Sequence, residues 1–130
     1  QSQENPVYYV QYGHARLCSI LSQAEGKGVK PVNFDQIDSS LLCEHEEIQL
    51  LKYMASFPAM IENAALELAP HRVIFYLMEL AGLFHSYYNK HRVISEDIVL
   101  SQARLCMIAA LRIVVGNGLK MIGLTAPEKM

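Results

Sequence analysis

The residues with the greatest chemical capacity lie together in Phe84-His85-Ser86-Tyr87-Tyr88-Asn89-Lys90-His91-Arg92. Aromatic faces stack on unpaired bases, and Lys and Arg meet phosphates, so this mixture suits single-stranded RNA. It equally suits a helix end in which Phe84 and one tyrosine fill the core and the rest is polar surface. Catalytic groupings are harder to find. The histidines are His14, His45, His71, His85 and His91. None forms an HExxH pair, and His85 and His91 lie off a common helix face, so no metal-ligand spacing arises. Gly116-Asn117-Gly118 lacks the Lys-Ser/Thr that completes a phosphate-binding loop. No GxSxG occurs, and no carboxylate pair has a catalytic setting. A Cys/His pair stays open, because such pairing is spatial. His14 reads either as a hydrogen-bonded core histidine or as a contact to RNA backbone or to a missing part of the protein.

These side chains must be carried by helices, because helical periodicity dominates and no stretch shows sustained strand alternation. Asn5-Pro6 is an N-cap followed by proline at the first helical position, and Val7, Val10, His14, Leu17 and Leu21 then recur at helical spacing. Gly26 and Gly28 stop that helix. A second helix is expected over Glu44–Phe57, with Ile48, Leu51 and Ala55 inward, and Pro58 breaks or kinks the chain. A third runs to about Ala69, with Ile61, Ala64, Ala65 and Leu68 inward. Pro70 opens another, to about His91, with Val73, Leu77, Leu80 and Phe84 inward. Ser95 is the expected cap of the last long helix, with Glu96 and Asp97 in its first turn. That helix is apolar almost all round and belongs at the centre of a bundle. Gly116 and Gly118 either end it or let a neighbour approach closely. Gly123 to Met130 reads as an extended end, held out of helix by Pro127. Arg112, inside an apolar run, is expected to pair with an acidic side chain, for which Glu62, Glu67 and Glu79 are candidates, or to cap carbonyls. The expected architecture is one all-α domain over 1–130, a bundle of five to six helices.

Bulk properties agree. The 130 residues are one domain's worth, and 52% apolar with 18% charged residues describes a globular chain. The chain starts without Met and without a secretory signal, which reads as a piece of a longer protein. The apolar run Leu105–Val115 contains Arg112 and is too short to span a bilayer, so no membrane partner is expected. Cys18, Cys43 and Cys106 are odd in number and widely spaced, which reads as reduced thiols of a cytoplasmic protein. Net charge is −2, yet residues 68–130 carry seven basic and four acidic side chains, while residues 35–67 carry one basic and seven acidic. An acidic middle thus hides a mildly basic C-terminal half.

Three segments resemble the C-terminal, DALR-type anticodon-binding domain of arginyl-tRNA synthetases: NPVYYVQYGHAR at 5–16, FHSYYNKHRVI at 84–94, and ARLCMIAALRIVVGNGLKMIGLTAPEKM at 103–130. The last is the most specific, with its Arg-Leu helix, NGL segment, Leu-Gly pair and terminal Pro-Glu-Lys-Met. The four letters that name the domain read Ala109-Ala110-Leu111-Arg112 here, so the Asp is absent.

The resemblance implies that a parent enzyme, a class I synthetase, ligates arginine to its tRNA using ATP and Mg in a catalytic core of the same polypeptide. This chain would then catalyse nothing and hold no cofactor or metal. It would bind the anticodon loop of arginine tRNA, whose anticodons share a central C. By position in the family pattern Tyr88 is the stacking residue, with Tyr87, Lys90 and Arg92 beside it. Met130 resembles the family's last residue, whose side chain and carboxylate help line the anticodon site. Asn117 is a further candidate that packing alone could also explain. The parent is expected to be a cytoplasmic monomer. The competing expectation is a non-enzymatic helical scaffold that binds another protein through an apolar groove.

Overall fold

The computed structural model describes residues 5–130. Among them are five α-helices, two short 3-10 turns and no strand. α1 spans Pro6–Gly26, and the Asn5 side chain caps it by accepting from the Tyr8 N–H at 3.1 Å. Its exit is a left-handed turn at Gly28 (φ 79°), where the Val29 N–H returns to the Ala24 carbonyl at 2.9 Å. The 3-10 turns, Phe34–Gln36 and Ser39–Leu41, lead into α2, His45–Ala55. α3, Phe57–Leu66, follows after Ser56 alone, because proline at position 58 falls in a helix's first turn, where its missing N–H is not needed. α4 spans His71–Lys90 and α5 spans Ile98–Met121. With α2 and α3 joined through one residue, four helical units pack together, so the expected five to six slightly overcounts them.

α1 and α4 run in the same direction, with Gly13 facing Ala81 and Arg16 reaching both His85 and Tyr88. α5 runs against both: Arg104 meets residue 92, and Gly118 meets Leu77. α2 packs on α4 and touches α5, and α3 packs on α4. The core between them is built from Val10, Leu17, Leu50, Leu77, Leu80, Phe84, Leu105, Ile108, Leu111 and Leu119, each at most 1% exposed. α5 is apolar enough to cross a membrane by length and composition, with mean hydropathy 1.9, but much of its surface is covered by its neighbours.

The two glycines of α5 do not end it. A Cβ at 116 would sit 3.3 Å from the His14 ring, and one at 118 would sit 2.7 Å from a Leu77 methyl. They are where α1 and α4 come close to α5.

Four local expectations are corrected. The cap of α5 is Asp97, which accepts from the Leu100 N–H at 3.1 Å; Ser95 lies before it, and its N–H donates to the Ser101 hydroxyl at 2.9 Å. The inward face of α2 carries Glu47 and Leu50, whereas Ile48 is 40% exposed. α3 turns inward only Ala64 fully, and Leu68 lies beyond its end, exposed and left-handed (φ 52°). A buried arginine does occur in α5, but it is Arg104, paired with Glu47; Arg112 is exposed, and Glu67 pairs with Arg72.

Candidate nucleic-acid interface

Tyr88 and Tyr87 are neighbours on α4, so their side chains point about 100° apart. Tyr87 turns into the core and Tyr88 turns toward α1. The Tyr88 ring leans on buried Phe84, with centroids 5.9 Å apart, and the Arg16 guanidinium lies over it at 4.6 Å. That contact is a cation–π pair. A cavity of about 540 Å³ opens beside it, lined by Tyr12, Arg16, Ser19 and Gln23 of α1, by Tyr88, and by Glu128, Lys129 and Met130. A second cavity, about 320 Å³, shares Ile20, Gln23 and Tyr88 with the first and continues to Lys27, His91 and Arg92. Tyr88 is therefore a wall common to both.

The tail reaches this place because α1 holds it. After α5 the chain turns at Gly123 (φ 77°). The Gln11 amide then donates to the Thr125 carbonyl at 3.0 Å and to its hydroxyl at 3.1 Å. The His14 ring, 6% exposed, meets the Pro127 carbonyl at 2.7 Å, which requires the proton on Nδ1. His14 is thus a hydrogen-bonded core histidine that fixes the tail and brings Met130, half exposed, to the cavity. Cys18 Sγ lies 3.8 Å from the same nitrogen. The pair is not a nucleophile–base couple: burial pushes the Cys18 thiol up, and His14 Nδ1 already serves Pro127.

The cationic side chains around the two cavities are Arg16, Lys27, Arg92 and Lys129, against one acidic side chain, Glu128. A locally positive surface thus sits on a chain of net charge −2. His85 does not add to it. Burial first, and the Arg16 charge second, lower its pKa, and its Nδ1 faces Arg16 Nη1 at 3.4 Å as an acceptor. Lys90 and His91 both meet Glu46, at 3.0 and 2.9 Å, and these hydrogen bonds hold that carboxyl at about 2. Lys90 therefore anchors the end of α4 to α2.

The family pattern of the DALR anticodon binding domain matches residues 10–130. The chain belongs to this family. Among its relatives are an arginine–tRNA ligase of Desulfotalea psychrophila, 62% identical, and one of Geobacter metallireducens, 52% identical. Both matches cover the whole chain and only 24% and 23% of the relative, so the chain spans about a quarter of the proteins it resembles. A solved arginyl-tRNA synthetase of Thermus thermophilus superimposes with a TM-score of 0.79 at 31% identity, over 94% of this chain and 21% of that one.

Within this DALR domain, the candidates expected from sequence separate. Tyr88, Arg92 and Met130 gather around the two cavities. Lys90 stands near them, held by Glu46. Tyr87 is corrected: it has no exposed surface, and its hydroxyl donates to Glu47 at 2.8 Å, so it offers no face to a base. Asn117 is exposed on α5 but is not among the residues lining the Tyr88 cavity. Sequence reasoning missed Tyr12, Arg16, Ser19 and Gln23. Their spacing traces one helical face, opposite the Val10–His14–Leu17 stripe, and that polar-aromatic pattern was the available signal.

Proposed function

We propose that this DALR domain binds the anticodon stem-loop of arginine tRNA, as part of an arginine–tRNA ligase. The observation that carries the reading is Tyr88 standing between two cavities with Arg16 stacked on its ring. A loop base that leaves its neighbours loses its stacking, and an aromatic ring restores it. Two neighbouring cavities that share one ring as a wall suit two successive bases pulled apart. Arg16, Lys27, Arg92 and Lys129 supply positive charge for the phosphates between them. A central cytosine offers O2 and N3 as acceptors and its amino group as a donor. Arg16 and Gln23 carry the donors such an edge needs, and the Gln23 carbonyl and tail carbonyls can accept from the amine.

In the parent, arginine would be joined to tRNA with ATP and Mg in a catalytic core of the same polypeptide, a cytoplasmic monomer. Among the described residues no group of three or more His, Cys, Asp or Glu side chains is gathered in a way that could hold a metal ion. The chain's role is recognition. Exposed Leu66 and Leu68, at and just after the end of α3, Phe75 of α4 and Met121 at the end of α5 do not line the Tyr88 cavity, and they support the catalytic core as a second partner.

The test is a salt titration of binding to the anticodon stem-loop. Phosphate contacts make log affinity fall linearly with log salt, with a slope of about −0.7 per contact for single strands. The proposal expects a slope of several contacts and a loss of affinity when the central C is replaced. A salt-independent interaction, blind to that base, favours the protein scaffold.

A further inference from the structure

Beneath the cavities lies a buried polar network that the RNA reading has not used. Glu47 of α2 has no exposed surface, yet both its oxygens are occupied. Oε2 accepts from Arg104 Nε at 2.7 Å and from the Tyr87 hydroxyl at 2.8 Å, and Oε1 accepts from the Glu44 N–H at 3.1 Å. Arg104, 8% exposed, also donates from Nη1 to the Arg92 carbonyl at 2.9 Å. One guanidinium therefore holds α2 through Glu47 and the segment after α4 through residue 92. The same carboxylate holds the last turn of α4 through Tyr87.

The points held bracket the groups that meet RNA in the reading above. Tyr87 immediately precedes Tyr88, and the Arg92 carbonyl belongs to the residue whose side chain lines the second cavity. α4 has ended by then, at the His91 cap, so no helical hydrogen bond of its own fixes the Arg92 carbonyl. Arg104 supplies that bond. A flat, forked cation satisfies a carboxylate and a carbonyl from two nitrogens in fixed relative geometry, whereas an ammonium donates from one nitrogen on a flexible stem and does not fix that geometry. Sites of this kind depend on supporting residues that lock the contacting ones to within about half an ångström.

We propose that Arg104 is a positioning residue of the anticodon site: through Glu47, Tyr87 and the Arg92 carbonyl it sets the relative placement of the Tyr88 ring and the Arg92 side chain, and thereby the discrimination of the central base. This rests on the proposed function, and the two can fail separately. Arg104→Lys keeps a cation for Glu47 but loses the rigid fork that holds both partners in one geometry. A second variant, Glu47→Gln with Arg104→Met, removes both charges together, leaves Tyr87 an acceptor, and releases the Arg92 carbonyl.

Two readouts are needed, at a temperature where each variant is folded by circular dichroism. The first is the ratio of affinities for the anticodon stem-loop with its central C and with U in its place. Partial unfolding removes active protein but leaves that ratio alone. Lost positioning narrows it, by about 3- to 30-fold for a residue acting at one remove. The second is the ring signal of Tyr88 in carbon-13 tyrosine spectra, assigned with Tyr88→Phe and read without RNA. Arg104→Lys should shift it, because the ring changes its placement against Arg16. A narrowed ratio with a moved Tyr88 signal in both variants is expected. An unchanged ratio, or an unmoved Tyr88 signal, overturns the role of Arg104. If wild type binds neither stem-loop, the proposed function falls, and the Tyr88 signal still decides whether Arg104 positions the ring.

Discussion

Truncating Tyr88 to alanine removes a wall shared by the two cavities and, from the core, only a partly buried ring at its edge. The ring is half-buried and rests on Phe84, which remains enclosed by the core on its other sides. The domain should therefore stay folded. On the proposed reading, what is lost is the face on which a base stacks, worth about 1–3 kcal/mol per base, or about 5- to 150-fold in affinity. Tyr88→Phe keeps the face and should keep most of the affinity. Arg16 makes the comparison sharper. Its guanidinium lies 4.6 Å from the ring centre, so the ring also orients a cation at the mouth of the larger cavity. Tyr88→Ala and Arg16→Ala should then be less than additive, since each single change already frees the other group. The assay is stem-loop binding for the two single variants and the double, across several salt concentrations. Arg16→Ala should also reduce the salt slope by about one contact. Equal binding by wild type and Tyr88→Ala, or strict additivity of the two losses, would refute the reasoning and return Tyr88 to an edge-of-core role.

Other consequences follow from particular contacts. Arg104→Ala leaves the Glu47 carboxylate buried without its partner and should cost about 3–5 kcal/mol, lowering the melting temperature by more than 10 °C. Arg112→Ala, at an exposed position, should stay within about 0.5 kcal/mol, and thermal melts of the two compare them directly. Gly118→Ala improves helix propensity by about 1 kcal/mol but drives a methyl to 2.7 Å from Leu77, which is fully enclosed. A net loss is expected in chemical denaturation, and a gain would mean the core there is loose. The Glu46 carboxyl is held at about 2 by His91 and Lys90, against an ordinary value of 4.5. A depressed carboxyl pKa stabilises above the unfolded value and loses that contribution as pH falls from about 4.5 toward 2. Glu46→Gln should therefore flatten the stability profile in that window, and an unaltered profile would remove Glu46 as its cause.

How much of this was legible beforehand depended on range. Asn5-Pro6, Gly26, Pro70 and the tail proline act on backbone a few residues away, and their elements appear where local chemistry puts them. Ser95 and Asp97 are both types that cap a helix; here the Ser95 hydroxyl accepts from the Asp97 N–H and its N–H donates to Ser101, and Asp97 takes the cap. The inward face of α2 was read from its apolar residues, Ile48 and Leu51. The structure turns Glu47 inward because a cation 57 positions away neutralises it. For the same reason the apolar run around Arg112 points to the wrong arginine as the buried one. Both sit in apolar runs of one helix, and only packing determines that Arg104 finds a carboxylate.

The sequence by itself determined the helices, their order, the family and the segment that carries Tyr88. Adjacent tyrosines on a helix face different ways, and the sequence holds no rule for which turns in. Tertiary structure decided that Tyr87 serves Glu47 while Tyr88 meets Arg16. It also decided that a tail fastened by Gln11 and His14 returns Met130 to the same cavity. Helix formation follows from neighbours along the chain, whereas a binding site is assembled from residues that meet only after the core has closed.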